Sequence, residues 1–228
     1  MLQWKISIAL NEHHFIVRTA EKKAEQMNIQ TIKIGDLPVL VIDNFFDNNE
    51  INLMWNELAF LSDKMQGPEQ TYSANELNDP NRPILKKNKG IFIPQVLNPE
   101  YSIIMKAHTK LFNPQLKQRF LKESNYFQYL LSDFDYDVLL SRYNEGDYYK
   151  PHADTVLMSC ITWMYREPKM FTGGNFVIEE HKIELKNNRT VLFPSCLLHA
   201  VEPVTMQSNE MLDGRFSLSA FISPRRDS

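Results

Sequence analysis

His152-Ala153-Asp154 sets an imidazole and a carboxylate two positions apart, and in an extended chain positions i and i+2 point to one face, so both groups can converge on one ion. His199 offers a third ligand, placed after the apolar RTVLFP segment and a short turn. Two strands of one barrel can bring such distant positions together. Two histidines and one carboxylate on one side of an ion leave three coordination positions open, the facial arrangement of non-haem iron(II) centres that must bind both a cosubstrate and O2. The other reading of His199 is a core histidine satisfied by a backbone carbonyl. Arg215 opens the segment GRFSLSAFIS, in which Arg215, Ser217 and Ser219 alternate with Phe216, Leu218 and Ala220. If the polar face lines a pocket, it places a guanidinium and two hydroxyls where a buried anion must receive them, and a dicarboxylate would do so. If it faces solvent, Arg215 is a surface residue.

The elements that must position these residues fall into two halves. The first half carries an apolar strand at 38–46, PVLVIDNFF, and then a helix with Asp47 and Glu50 as a capping box. The helix repeats Ile51, Met54, Trp55, Leu58 and Leu61 on one face. Asn98-Pro99 and Asn113-Pro114 predict two further helix starts, with Asn as cap and Pro in the first helical position. Residues 65–98 read as a long excursion from regular structure. From about Tyr136 the texture changes to short β-rich runs, YDVLLSRY, TVLMSCITWMY, GNFVIEE, HKIEL, RTVLFP, HAVEPV and GRFSLSAFIS. That is the strand complement of an antiparallel jelly roll. The expected class is α+β, helices first and strands second, with the site in the β half. In a chain with 7 glycines, the pair Gly173-Gly174 answers to backbone geometry and reads as a tight turn, while the 10 methionines read as core filler.

In that order, RYNEGDYYKPHAD, Gly173-Gly174, RTVLFPSCLLHAVEPV and GRFSLS resemble the iron(II)- and 2-oxoglutarate-dependent dioxygenases, in particular the prolyl 4-hydroxylase-like catalytic domain. The likeness runs over about 136–223, and VIDNFFDNNEINLMWNEL is similar to the usual entry into that fold. The resemblance implies a double-stranded β-helix (jelly roll) braced by N-terminal helices. It further implies one domain over 1–228, with 1–135 as mainly helical support and 136–223 as the catalytic core. It makes His152, Asp154 and His199 the iron(II) ligands and Arg215 the partner of the distal carboxylate of 2-oxoglutarate. Many prolyl hydroxylases carry lysine there, so Arg215 points to bacterial-type relatives. Tyr143 corresponds to a pocket tyrosine that can hydrogen-bond the cosubstrate, with Ser217 or Ser219 assisting and plain barrel packing as its other reading. Iron(II), 2-oxoglutarate and O2 are the implied cofactors, with ascorbate as an accessory candidate. The implied chemistry is hydroxylation of an unactivated C–H bond, coupled to conversion of 2-oxoglutarate to succinate and CO2.

Three functions fit this reading: a hydroxylase of a peptide or protein side chain, a hydroxylase of a free amino acid or other small molecule, and a catalytically silent jelly-roll binding protein. Nucleobase dealkylases carry a second arginine six positions after the first, where this chain has Phe221. With 25 Lys+Arg against 28 Asp+Glu the formal charge is −3, so neither a nucleic-acid nor a membrane partner is expected. The ISIAL stretch is too short for a membrane span and runs into polar Asn11, Glu12, His13 and His14, and the protein reads as cytoplasmic. Cys160 and Cys196, without CxxC spacing, read as buried thiols. The 65–98 loop is expected to cover the pocket, and Arg82, Lys86, Lys87 and Lys89 make it basic, either as a solvated face or to suit an acidic peptide or a nucleotide-linked substrate.

Overall fold

The computed structural model describes residues 26–76, 79–131 and 134–225, so the ISIAL stretch and its two histidines lie outside the described residues. Among the described residues, fourteen strands and three α-helices follow in chain order. β1 (Asn28–Ile34) and β2 (Leu37–Asp43) form a hairpin that leads into α1 (Asn48–Ser62). After β3 (Lys86–Lys87) and β4 (Lys89–Phe92) come α2 (Ile103–His108) and α3 (Pro114–Glu123). The β half contains β5 (Phe134–Tyr143), β6 (Tyr148–His152), β7 (Met158–Met164), β8 (Phe171–Gly173), β9 (Phe176–Ile178) and β10 (His181–Ile183). It closes with β11 (Arg189–Pro194), β12 (His199–Val201), β13 (Val204–Met206) and β14 (Arg215–Pro224).

The strands assemble into a seven-stranded sheet, β1-β2-β11-β7-β14-β5-β4, and a five-stranded sheet, β10-β9-β12-β6-β3, with β13 and β8 as a separate pair. Period-two alternation sends each strand of the larger sheet in two directions. On β14, Phe216, Leu218, Ala220 and Ile222 enter a core shared with Met54, Leu58, Ile104, Met105 and Phe120 of the helices. The opposite residues face the second sheet, where Trp163, Phe176, Phe193 and Ile161 form another apolar cluster. Burying these faces is the main drive to fold, at about 25 cal/mol per Å² of apolar area.

The cap of α1 is the one predicted: Asp47 accepts from the backbone of Asn49 and Glu50, and the Glu50 side chain returns to the Asp47 N–H. Asn113 likewise caps α3 with Pro114 at its first turn. Asn98-Pro99 does not start a helix. Asn98 closes a single turn, accepting at its side chain from Glu100 and at its carbonyl from Tyr101 and Ser102, and α2 begins only after Ser102. The shift has a tertiary cause: Glu57 of α1 accepts from the Ser102 hydroxyl at 2.6 Å and from the Ile103 and Ile104 N–H groups, supplying acceptors that Asn98 cannot reach.

Three other expectations change. Residues 65–98 are not wholly irregular, because β3 joins the smaller sheet beside β6 and β4 joins the larger beside β5. HAVEPV is two strands in two sheets, divided at Glu202-Pro203, since proline cannot continue a ladder. Cys196 is exposed, in the turn after β11, while Cys160 is buried as expected. Among the described residues no helix is long and apolar enough to cross a membrane.

Candidate active site

The register of two strands assembles the metal-ligand set. β12 runs antiparallel to β6 with His199 opposite His152, and Asp154 follows β6 by two residues. One ligand atom from each of His152, Asp154 and His199 lies within 4.8 Å of the others. His152 Nε2 is 3.8 Å from Asp154 Oδ1, and His199 Nε2 is 3.5 Å from Asp154 Oδ2. His152 Nδ1 faces the Lys150 carbonyl at 2.9 Å and His199 Nδ1 faces the Leu197 carbonyl at 3.0 Å. A carbonyl can only accept, so both rings hold their proton on Nδ1 and turn an Nε2 lone pair toward Asp154. Burial, and then His199, lower the pKa of His152 to about 3, which keeps it neutral. Asp154 is fixed by the Ser159 hydroxyl, donating at 2.5 Å, and by its own N–H to the Ser195 carbonyl at 3.0 Å. Ser159 and Ser195 are themselves joined at 2.8 Å. The core reading of His199 therefore accounts for one nitrogen only.

Arg215 is fully buried at the start of β14, opposite Tyr143 of β5, which excludes the surface reading. Its Nε donates to the Gly174 carbonyl at 2.7 Å and its guanidinium lies 4.9 Å from the Tyr143 ring. Nη1 and Nη2 have no hydrogen-bond partner. Burial lowers its pKa to about 10, still cationic at neutral pH. A buried guanidinium with two idle nitrogens calls for an acceptor, and its planar fork matches a carboxylate. Gly174 shapes this pocket: its φ is +63°, and a Cβ there would stand 2.8 Å from Arg215 Cδ. The predicted turn is present, with Gly173 at φ +68°, and one of its glycines also holds the arginine.

These groups share one cavity of about 440 Å³ between the sheets, lined also by Tyr143, Ser217 and Ser219. All seven sequence-predicted site residues thus border one space. The donor set of two neutral imidazoles and one carboxylate fits iron(II), and the two unpaired nitrogens of Arg215 fit the far carboxylate of a chelating 2-oxo diacid. Sequence reasoning missed Ser159, whose type and spacing carry no signal, and Tyr149, whose ring stacks on His152 at 3.5 Å between centroids. It also placed Lys86 among the loop cations. Lys86 is buried and lines the cavity, whereas Arg82, Lys87 and Lys89 are exposed.

Residues 138–223 match the family model of the 2OG-Fe(II) oxygenase superfamily, and the chain is similar over that stretch to hydroxylases of that superfamily. A PKHD-type hydroxylase of Gloeothece citriformis is 37% identical over 82 residues, 31% of this chain and 37% of the relative. One of Parvibaculum lavamentivorans is 33% identical over 78 residues, 30% of this chain and 36% of the relative. The matches therefore span little more than a third of these relatives. In fold, a prolyl-4-hydroxylase of Pseudomonas putida superposes with a TM-score of 0.55 at 15% identity, covering 82% of this chain and 93% of the other. A 2OG-Fe(II) oxygenase family oxidoreductase of Burkholderia pseudomallei gives 0.52 at 14% identity, covering 83% and 86%. Both likenesses establish the jelly-roll type of fold.

Proposed function

We propose that the protein is an iron(II)- and 2-oxoglutarate-dependent hydroxylase of a peptide or protein side chain, with His152, Asp154 and His199 as metal ligands and Arg215 as anchor of the cosubstrate. The observation that carries this reading is the pairing, in one cavity, of a facial two-histidine, one-carboxylate set with a buried guanidinium whose two Nη atoms lack partners. A silent binding protein has no need to keep all four groups. The likeness to PKHD-type hydroxylases and to a prolyl-4-hydroxylase supports a peptide or protein substrate.

When bound, iron(II) and 2-oxoglutarate supply the oxidation: one O2 and one 2-oxoglutarate are consumed, succinate and CO2 are released, and a substrate C–H becomes C–OH. The chain's own residues bind, orient and exclude. The carbonyls of Lys150 and Leu197 fix the tautomers that free both Nε2 atoms, and Ser159 anchors Oδ2 of Asp154, the oxygen beside His199, which leaves Oδ1 facing His152. Arg215 takes the distal carboxylate in a dry site, where a charge-assisted pair outweighs a neutral one. Tyr143, buried with its pKa raised by that burial, stays a neutral phenol and can donate to the cosubstrate, with Ser217 and Ser219 on the same wall. The helical layer braces the larger sheet from behind, so the cavity walls need not yield when ligands enter. A reducing cytoplasm, which maintains iron(II), suits this chemistry.

The test is succinate release from 2-oxoglutarate with Fe(II), together with Mn(II) binding followed by electron paramagnetic resonance. Asp154→Ala should lose both. Retention of Mn(II) affinity and succinate release by that variant would show that the triad is misassigned.

A further inference from the structure

The cavity holds a second buried cation besides Arg215. Lys86 of β3 is 2% exposed, lies on the smaller sheet opposite Tyr149, and lines the same space as the triad and Arg215. Its Nζ donates to the Thr71 carbonyl at 3.1 Å and stands 5.2 Å from the face of the Tyr149 ring. An ammonium has three donors, so this leaves two without an acceptor among the described residues. Asp154 and the exposed Glu69 are the acids that act on it at a distance, and neither forms an ion pair with it among the described residues. Asp154 is already committed to Ser159 and the histidine pair.

Charge balance gives the consequence. A divalent ion, the Asp154 carboxylate, Arg215 and Lys86 carry three net positive charges, of which 2-oxoglutarate cancels two. The remaining acid on the wall, Asp137, is only half-buried and is not among the acids that act on Lys86. One positive charge at Lys86 is left for the substrate, in a place where an unpaired charge is costly. Beside it, Tyr72 packs edge-on against Phe92 at 6.0 Å, and Phe92 lies 6.4 Å from Phe221, an aromatic rim on the same cavity. Resting on the hydroxylase reading above, we propose that Lys86 is the specificity-determining residue and that the substrate presents a carboxylate to it next to the group that is hydroxylated. In a peptide, that carboxylate belongs to an acidic side chain; in a chain end or free amino acid, it is the α-carboxylate. Burial lowers the pKa of Lys86 to about 8, so it is cationic at neutral pH.

The full chain, loaded with Mn(II) and saturating 2-oxoglutarate, is titrated with two pairs of blocked probes. Acetyl-glutamate methylamide against its glutamine counterpart tests the side-chain source, and acetyl-alanine against its methylamide tests the α-carboxylate. The expected result is that one acid binds about tenfold or more tightly than its amide, that Lys86→Met removes the difference, and that 2-oxoglutarate affinity stays within about twofold. Met matches the volume of the lysine stem and removes a buried charge, so folding should survive, which circular dichroism checks. Equal binding of acid and amide in both pairs, or discrimination that persists in Lys86→Met, overturns the proposal. So does a Lys86→Met loss of 2-oxoglutarate affinity as large as that of an Arg215 variant, which would assign Lys86 to the cosubstrate. Failure of the hydroxylase reading would show separately, as a wild type that binds neither Mn(II) nor 2-oxoglutarate. Trace acetylation of Lys86 in the metal-free protein, slowed by an acid probe and not by its amide, then decides the role of Lys86 by itself.

Discussion

Arg189 and Arg215 are both buried on strands of the seven-stranded sheet, yet their surroundings are opposite. Where β11 meets β2, Arg189 grips Asp43 with two hydrogen bonds, at 2.6 and 3.0 Å, and gives a third to the Glu184 carbonyl at 2.8 Å. The hydrogen bond that Arg189 donates to Asp43 raises the pKa of the arginine despite burial. At the cavity, Arg215 has one backbone acceptor and burial pulls its pKa down. Burial alone therefore does not separate a structural arginine from a ligand-binding one. What separates these two is satisfaction of the fork together with its place: Arg189 has a closed set of partners between strands, whereas Arg215 turns two unpartnered nitrogens to the cavity; Arg142, also with unpartnered nitrogens, does not line it.

The comparison can be broken first at Arg215. Arg215→Met should weaken 2-oxoglutarate binding by about 2 to 5 kcal/mol, the usual cost of leaving a desolvated carboxylate unpaired. Mn(II) binding should survive, and chemical unfolding should show a stability equal to or above wild type, because a poorly paired buried charge has been replaced by an apolar chain. Calorimetry with unchanged 2-oxoglutarate affinity would end the contrast between the two arginines.

Asp43→Asn tests the other side. Losing the bidentate pair should cost about 1 to 2 kcal/mol of stability, discounted for the solvent that reaches Asp43, with 2-oxoglutarate affinity of the folded protein unchanged. The pair also makes a pH prediction. Hydrogen bonding to Arg189 holds the Asp43 carboxyl below its ordinary value, so its contribution is fully present above about pH 4 and is lost as the pH falls through its lowered value. Acid titration of the unfolding midpoint should be shallower in Asp43→Asn in that range. An equal slope in both proteins would mean that Asp43 gains nothing from its partner.

The smallest effect concerns Gly174. In Gly174→Ala the added carbon would stand 2.8 Å from both Arg215 Cδ and Val204 Cγ2, on a left-handed backbone at φ +63°, so the arginine stem and its neighbour must shift. About a tenfold loss of 2-oxoglutarate affinity, near 1.4 kcal/mol, is expected, with Mn(II) affinity intact. A drop in the affinity of both ligands would show that the turn supports the whole site instead of the arginine alone.

The chain's local chemistry offered His152 with Asp154, and Arg215 with the two serines, as candidates, because two-residue periodicity on a strand dictates which side chains share a face and both GRFSLS and HAD obey it; the choice of His199 and of the pocket reading of Arg215 came from the family resemblance. The capping box at Asp47 and the Asn113-Pro114 start were legible for the same reason, since each is completed within four residues. Asn98-Pro99 looked like a second such start and was not, because its rival acceptor, Glu57, sits on another helix. Lys86 could not be told from Arg82, Lys87 and Lys89, all basic residues of one segment; the short pairing of β3 with β6 alone turned one of the four into the cavity. Gly174 announced a turn and kept its hold on Arg215 hidden, as that contact joins residues on different strands. What the sequence determined by itself was the set of groups able to do the chemistry. Which of them meet was decided by strand register, His199 opposite His152 and Arg215 opposite Tyr143, because a ladder's register is fixed by which apolar faces bury together across the whole sheet and is written in no single segment.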